Sequence, residues 1–292
     1  MKKVILAFIF ATISTVNAQD LKNYQIYNQK ENKVTFDKMI KELSSYDIVL
    51  FGEHHNDAIN HWLQLQATKE LYKLKDGKVI LGAEMFERHQ QKDLTDYLQN
   101  KIEDKDLQTK TVLWKNYPTD YKPLVDFAKE KKIPFVATNV TRKFASYISK
   151  NGLSSLDTIS NDDKKNIVKL PFDIDYNAPG YPEMIKMMGE HAGFRAKQFV
   201  AAQAVKDATM AESILSNYKT GELFIHFNGD YHSKNYGGIY WYLKHKNFNL
   251  KIAVIEILEA SDSKLNVEKP KDENFTATEF IIVLPKDSPK SY

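Results

Sequence analysis

The sequence predicts an α/β fold, a mostly parallel sheet flanked by helices with a small helical insert domain. Short, continuously apolar runs recur along the chain, and segments with helical spacing of apolar residues lie between them. Runs of this kind are typical of strands buried on both faces of a parallel sheet. Alternation of strand and helix favours right-handed crossovers, which bring the carboxyl ends of the strands to one edge, where ligands bind.

The first 18 residues are predicted to be a secretory signal peptide. Lys2 and Lys3 precede a short apolar run, and Val16-Asn17-Ala18 is a small-residue cleavage pattern. No run in the mature part reaches the roughly 20 apolar residues of a spanning helix. We therefore expect an exported protein, periplasmic or associated with the cell envelope, with no membrane-spanning segment in its mature chain.

The mature chain is predicted to form one large unit interrupted by an insert. Residues 19–140 are the first part of the α/β domain, 141–220 the helical insert and 221–292 the second part. Without Lys2 and Lys3 the chain carries 39 basic and 38 acidic residues, a balance that excludes nucleic acid as an expected partner. The chain has no cysteine, so it cannot carry a lipid on a processed N-terminal Cys.

The elements follow in order from the apolar spacing. The first are a hairpin at 24–34 and helices at 36–43 and 57–74. Buried strands are predicted at 47–51, 79–81, 135–137, 223–227, 252–258 and 280–284. The last should be an edge strand, because Pro285 ends it after a polar linker. The insert contains a long helix at 194–215 and no strand pattern.

Acidic and histidine side chains follow three of these strands. The motifs containing Glu53 with His55, and Asp230 with His232, close the first and fourth strands, and Glu84 follows the second. Because parallel strands end at one edge, we expect one crevice. Carboxylate and imidazole groups can act as an acid/base pair or hold a divalent metal, for which His55, His232 and Glu53 are candidate ligands.

Some of these polar residues also have a purely structural interpretation. Asp57 and Asp230 can be helix N-caps or first-turn charges. His226 lies inside an apolar strand and is expected to be a buried, hydrogen-bonded side chain. His245 is expected to face solvent, and His61 to face either the crevice or water.

The motifs resemble the ChaN-type haem-binding uptake family of the Tiki superfamily, over about residues 24–258. The resemblance rests on Gly52-Glu53-His54-His55-Asn56-Asp57 with His61, Glu84-Met85-Phe86-Glu87-Arg88-His89-Gln90, Ala202-Gln203 with Asp207 and Met210-Ala211, and Gly229-Asp230-Tyr231-His232. It implies a parallel sheet with a small helical domain, and haem binding outside the cytoplasm in iron acquisition. It also implies haem held between two subunits, a homodimer, with a tyrosine on the iron. Relatives are often lipoproteins, and this cysteine-free chain departs from them.

The resemblance does not single out one tyrosine. The candidates for haem binding are Tyr176, Tyr181, Tyr231 and Tyr236 for the iron, His191 for the pocket, and Arg195 and Lys197 for the propionates. The chain has no Cys-x-x-Cys-His motif, so haem would be held non-covalently.

A hydrolase is the alternative interpretation, as in other branches of the superfamily. Glu53 would be the general base, with His55 and His232 as metal ligands or acid/base partners, and Glu84 and Arg88 would lie in the same crevice. The sequence lacks a complete zinc motif such as His-Glu-x-x-His, which favours the haem interpretation.

Overall fold

The computed structural model describes residues 22–189, 193–261, 267–269 and 278–292. The predicted signal peptide and His191 lie outside the described residues. Within the described ranges, no helix has the length and apolar character needed to cross a membrane.

Eight strands form one sheet, with the order β2-β1-β8-β7-β3-β6-β4-β5. They are β1 (Gln25–Asn28), β2 (Lys33–Val34), β3 (Ile48–Glu53), β4 (Val79–Glu87), β5 (Phe135–Asn139), β6 (Leu223–Gly229), β7 (Ile252–Glu259) and β8 (Phe280–Leu284). All neighbouring pairs from β8 to β5 are parallel, whereas β1 pairs antiparallel with both β8 and β2. The predicted α/β class with a mostly parallel sheet is confirmed.

Helices cover both faces of this sheet. They are α1 (Phe36–Leu43), α2 (Ala58–Leu74), α3 (Gln91–Leu98), α4 (Asp104–Lys110), α5 (Lys122–Lys131), α6 (Arg142–Asn151), α7 (Asn161–Lys164), α8 (Tyr181–Met187), α9 (Phe194–Asn217) and α10 (Gly238–Lys246). Successive strand residues point to opposite faces, so Val49 and Phe51 join one apolar core and Ile48 and Leu50 the other. This double burial explains why the strands are continuously apolar.

The prediction that β8 is an edge strand is wrong. β8 lies between β7 and β1, because the N-terminal hairpin pairs antiparallel with its outer side and supplies the edge. Pro285 ends the strand without leaving it unpaired. The residues at the end of a strand do not indicate whether another strand pairs with it, because the partner here lies about 250 residues away in the sequence.

Residues 141–220 contain four α-helices and no strand among their described positions. Most of the buried side chains of α9 share a core with the sheet: Val205 and Ala208, for example, belong to the same cluster as Phe224 and Val254. The helix therefore lies along one face of the sheet and reaches its carboxyl edge.

The chain makes tight turns where β3 and β6 end. Glu53 pairs in register with Gly229, so the two predicted motifs leave the sheet side by side. A Cβ on Gly52 would lie 2.5 Å from Asp230 Oδ1 and 2.7 Å from Ile255 O, which leaves no room for a side chain. Asp57 caps α2 by accepting hydrogen bonds from two backbone amides, as the structural interpretation of that residue predicted.

Candidate functional site

The carboxyl edge of the sheet brings together four of the predicted site residues. Glu53 ends β3 and His55 follows it, Glu84 lies within β4, and His232 follows β6. Glu84 Oε1 is 3.2 Å from His232 Nε2, and Glu84 Oε2 accepts a hydrogen bond from the Gly229 amide at 2.8 Å. We call these residues the crevice.

Gly229 lies between the two halves of the crevice, which are Glu53 with His55 and Glu84 with His232. A Cβ at this position would lie 2.7 Å from His55 Nε2 and 3.4 Å from Glu84 Oε2. The His55 ring therefore lies directly over the Gly229 backbone, beside the Glu84 carboxylate. Only a residue without a side chain permits this approach.

Glu53 is a buried carboxylate that accepts three hydrogen bonds. Its Oε1 accepts from His55 Nδ1 at 2.8 Å and from the Tyr121 hydroxyl at 2.7 Å, and its Oε2 accepts from Gln64 Nε2 at 2.9 Å. Burial alone would raise the pKa of Glu53, but the neighbouring charge of His61 and the bond from His55 hold it below its usual range. Glu53 is therefore ionised.

The ionised Glu53 fixes the orientation of the His55 ring. A carboxylate can only accept, so His55 carries a proton on Nδ1 and leaves Nε2 facing Gly229 and Glu84. Burial opposes protonation of His55, yet the bond to Glu53 and the charge of Glu84 raise its pKa. The ring also contacts Trp114 edge-on, with 4.8 Å between the ring centroids.

His61 and Asp120 support the crevice from behind. His61 is buried, with Nδ1 3.1 Å from Gln64 Oε1 and Nε2 3.1 Å from the His55 carbonyl. Asp120 Oδ2 lies 3.4 Å from His61 Nε2 and accepts a hydrogen bond from Ser291 Oγ at 2.5 Å. His61 therefore faces neither solvent nor the open crevice but holds the backbone that carries His55.

His232 lies between two buried carboxylates in the second half of the crevice. Its Nδ1 is 2.5 Å from Asp207 Oδ1 and its Nε2 is 3.2 Å from Glu84 Oε1. Burial would lower the pKa of His232, but Glu84 and Asp207 together raise it to about 10. The same imidazolium holds the pKa of Glu84 well below its usual range, against the effect of burial. At neutral pH the side chain of His232 is an imidazolium with both N–H groups engaged.

The crevice does not fit a resident metal ion. Both nitrogens of His232 face carboxylates, and His55 Nδ1 donates to Glu53, so these three residues do not form one ligand set. Within the described ranges, no group of three or more His, Cys, Asp or Glu side chains is arranged to hold a metal.

Arg88 lies outside the crevice. Its guanidinium donates to Ser213 Oγ at 2.7 Å, to the carbonyls of Ile167 and Thr209 at 2.9 and 2.7 Å, and to Glu212 at 3.0 Å. None of these partners belongs to the crevice. Arg88 instead fastens the end of β4 to the C-terminal half of α9.

Sequence analysis assigned no role to three residues that contact the crevice, Asp207, Tyr121 and Gln64, of which only Asp207 appeared among the motifs that carry the resemblance. Asp207 is the carboxylate bonded to His232 Nδ1. The sequence feature that could have indicated it is an acidic residue within the alanine-rich, apolar helix α9. Tyr121 donates to Glu53 from a short π-helical turn before α5, and no local pattern marks it.

The other histidines lie where the structural interpretation predicted. His226 is fully buried, bonded to Thr138 Oγ1 at 2.8 Å and Asn228 Oδ1 at 3.0 Å, and burial lowers its pKa to about 4. His245 is exposed and stacks on Trp241.

Two comparisons with known proteins concern this chain, one with protein families and one with curated proteins. The model of the haem-binding uptake family of the Tiki superfamily, ChaN, matches residues 39–243, more than half of the chain. The chain belongs to this family. The comparison with curated proteins finds no match.

Several solved structures share the fold of this ChaN-family chain. ChaN of Campylobacter jejuni, whose structure is described as showing cofacial heme binding, has a TM-score of 0.66 at 16% identity and covers 90% of this chain and 97% of its own. A Bacillus cereus protein has a TM-score of 0.53 at 10% identity, covering 87% of this chain and 92% of its own. A succinoglycan biosynthesis protein has a TM-score of 0.51 at 10% identity, covering 87% and 91%. At these identities the likeness concerns the fold.

Two of the four candidate tyrosines have hydroxyls bonded to carboxylates. The buried Tyr181 donates to Asp207 Oδ2 at 2.9 Å, and burial together with that charge raises its pKa well above the usual value. Tyr236 donates to Glu279 at 2.8 Å. A phenol held in this way is poorly placed to bind iron.

The other two candidates are more accessible. Tyr231 is 67% exposed, immediately before His232. Tyr176 is partly buried, and Lys197 Nζ lies 5.8 Å from its ring centroid. Tyr176 is therefore next to the first turn of α9.

Four large apolar side chains are exposed at the end of α8 and in the first turns of α9. They are Met187, Met188, Phe194 and Phe199, which are 72%, 41%, 72% and 38% exposed. The predicted propionate partners Arg195 and Lys197 are exposed on the same turns of α9. We call these six residues the α8–α9 face.

Proposed function

We propose that this protein binds haem non-covalently on the α8–α9 face and serves in the acquisition of haem or iron outside the cytoplasm. Membership of the haem-binding uptake family supports the ligand. The observation that carries the proposal is the exposure of four large apolar side chains at the end of α8 and in the first turns of α9, the helix that also exposes Arg195 and Lys197. Exposed apolar surface is typical of binding sites.

Haem in this position would present its iron to a side-chain ligand, and we propose Tyr176 or Tyr231. Tyr176 adjoins Lys197 of the face, and Tyr231 is largely exposed. Tyr181 and Tyr236 already donate to carboxylates and would have to lose those bonds. The apolar side chains would cover the porphyrin, and the two cations would pair with its propionates.

Titration of the mature protein with haemin, followed by absorption spectroscopy, tests this proposal. We expect a high-spin spectrum of the tyrosine-ligated type, altered by Tyr176→Phe or Tyr231→Phe. Tyr181→Phe is the matched control and should leave the spectrum unchanged. A spectrum unaffected by both of the first two variants would exclude them as ligands, and failure of Phe194→Ser to weaken binding would exclude the α8–α9 face.

The same face supports the proposal of a homodimer around haem. Four exposed apolar side chains on one copy would be covered if a second copy contributed the same face. Sedimentation with and without haemin is the test. We expect haemin to convert monomer to dimer, and a protein that stays monomeric when saturated with haemin would contradict this part of the proposal.

Export is the remaining part of the proposal, and it rests on the first 18 residues of the sequence. N-terminal sequencing of the protein recovered from the periplasm should show a mature chain that begins at Gln19. A chain that still begins at Met1 would contradict it.

The crevice supports a second candidate function, acid/base hydrolysis. His55 Nε2 faces the crevice while Glu53 holds Nδ1, the arrangement of a general base with an orienting carboxylate. The three donors on Glu53 leave it poorly placed as the base itself. His55 would take a proton from water and so generate the attacking nucleophile.

Turnover of a neutral ester such as p-nitrophenyl acetate tests this candidate. His55→Gln should lower turnover by about 100-fold or more, because Gln cannot accept the proton. Haem binding on the α8–α9 face should be unchanged in this variant. Equal turnover by His55→Gln and the unaltered protein would exclude the hydrolase.

A further inference from the structure

The outer edge of β5 borders a groove that neither haem binding nor the crevice uses. β5 is the last strand of the sheet order, and among the described residues no strand pairs with its outer side. The groove along that side has a volume of about 950 Å³, with residues 133–137 as its floor. Helices α3 and α5 form one wall, and the C-terminal part of α9 forms the other.

The side chain of Gln91 takes the place of a neighbouring strand on this edge. Its Nε2 donates to the Phe135 carbonyl at 3.1 Å, and its Oε1 accepts from the Ala137 amide at 2.7 Å. In a parallel pair, one residue makes these two bonds to the residues that flank its partner, here Val136. The amide of Gln91 therefore imitates one residue of a parallel strand.

The groove has an excess of positive charge. Its lining contains four cationic side chains and one carboxylate: Arg88, Lys129, Lys132, Lys165 and Glu212. Arg88 pairs with Glu212 at 3.0 Å, which leaves the three lysines. Lys165 also pairs with Asp162, but that pair is exposed and can be exchanged at little cost.

We propose that this groove binds an extended acidic segment of another protein, which adds to β5 as a further parallel strand. The main chain of the segment would replace Gln91 on Phe135 and Ala137, and its carboxylates would meet the lysines. Main-chain pairing supplies the binding and the charges select the partner. The floor of the groove is five consecutive residues, 133–137, so it would hold about five residues of the segment.

Fluorescence anisotropy with a labelled peptide of alternating Glu and Val, about six residues long, tests the proposal. One control peptide has Lys in place of Glu. A second has Pro in place of Val, which keeps the charge but removes main-chain donors. The Glu/Val peptide should bind about tenfold more tightly than either control, and Lys132→Glu should weaken it several-fold.

Gln91→Ala separates strand addition from simple charge attraction. Removing the competing side chain should tighten binding of the Glu/Val peptide several-fold, and hydrogen exchange at Phe135 and Ala137 should slow when the peptide is present. Gln91→Glu has the same size and should weaken binding by repulsion, so it tests the groove even if the alanine variant folds poorly.

Three outcomes would overturn the proposal. Equal binding of all three peptides would mean charge attraction alone, and unchanged binding by Gln91→Ala would mean that no strand replaces the side chain. Self-association of Gln91→Ala without peptide, seen by sedimentation, would assign the edge to a second copy of this chain.

Discussion

Replacement of Gly229 by alanine tests the geometry of the crevice. The new methyl group would lie 2.7 Å from His55 Nε2 and 2.8 Å from His55 Cε1. These distances are too short for real contacts, so the ring must move. The Gly229 backbone itself, with φ of −52° and ψ of 137°, suits alanine, so the cost comes from the contact and not from the backbone.

The structure sets the size of this cost. The His55 side chain is 35% exposed, so the ring can swing towards solvent without displacing the core. Moving it breaks the 2.8 Å bond to the buried Glu53 carboxylate, and a hydrogen bond to a charged group contributes about 1.5–3 kcal/mol. Glu53 keeps its bonds from Tyr121 and Gln64. We therefore expect Gly229→Ala to lower the free energy of unfolding by about 2 kcal/mol.

A double-mutant cycle with His55→Ala measures this contact directly in urea denaturation. Without the imidazole, the nearest remaining atom is Glu84 Oε2 at 3.4 Å, an ordinary contact. Gly229→Ala should then cost less than about 0.5 kcal/mol, giving a coupling energy near 1.5 kcal/mol. The same cost in both backgrounds would refute the position assigned to His55.

Three further predictions concern the buried polar groups. Asp207→Asn should reduce the dependence of the free energy of unfolding on pH. The folded pKa of His232 is raised to about 10, so the stabilisation that protonated His232 gives the folded protein is complete below pH 6.5 and is lost as pH rises towards 10. Urea unfolding at several pH values checks this slope, and equal slopes in both proteins would contradict it. Tyr121→Phe removes a 2.7 Å donor from Glu53 and should cost about 1–2 kcal/mol in thermal or urea unfolding, whereas a neutral effect would mean that water replaces the hydroxyl. Arg88→Met leaves buried acceptors unpaired and should cost about 3 kcal/mol or more by the same measurement while leaving the haem spectrum unchanged, and a changed spectrum would place Arg88 at the haem site.

Most of the fold could be predicted from the sequence, because parallel strands buried on both faces consist of consecutive apolar residues. The runs at 47–51 and 223–227 became β3 and β6, and the helix at 36–43 has the predicted bounds. Strand β4 extends to Glu87, past the predicted end at 81. Gly82 and Glu84 interrupt the apolar run, and a bulge interrupts the pairing with β5, so the pattern did not reveal the later residues of the strand.

The candidate site could be predicted only in part. Glu53, His55, Glu84 and His232 lie together because each is near the carboxyl end of a parallel strand, a relation that the topology enforces. Arg88 is also near such an end, yet its side chain binds α9. The direction in which a side chain points beyond the end of a strand depends on the hydrogen-bond acceptors around it. Those acceptors come from distant parts of the chain, so the local sequence does not reveal the direction.

The sequence by itself determined the class of fold, the order of the elements and the edge at which acidic and histidine side chains gather. These follow from continuous apolar runs for the strands and from a spacing of 3.6 residues for the helices. Only the tertiary structure decided the protonation states of those side chains. Glu84 and Asp207 meet from β4 and α9 to make His232 an imidazolium, and the charge of His61 with the hydrogen bond from His55 keeps Glu53 ionised. Protonation depends on charges and burial within a few ångströms, and the groups that supply them to His232 are distant in the chain.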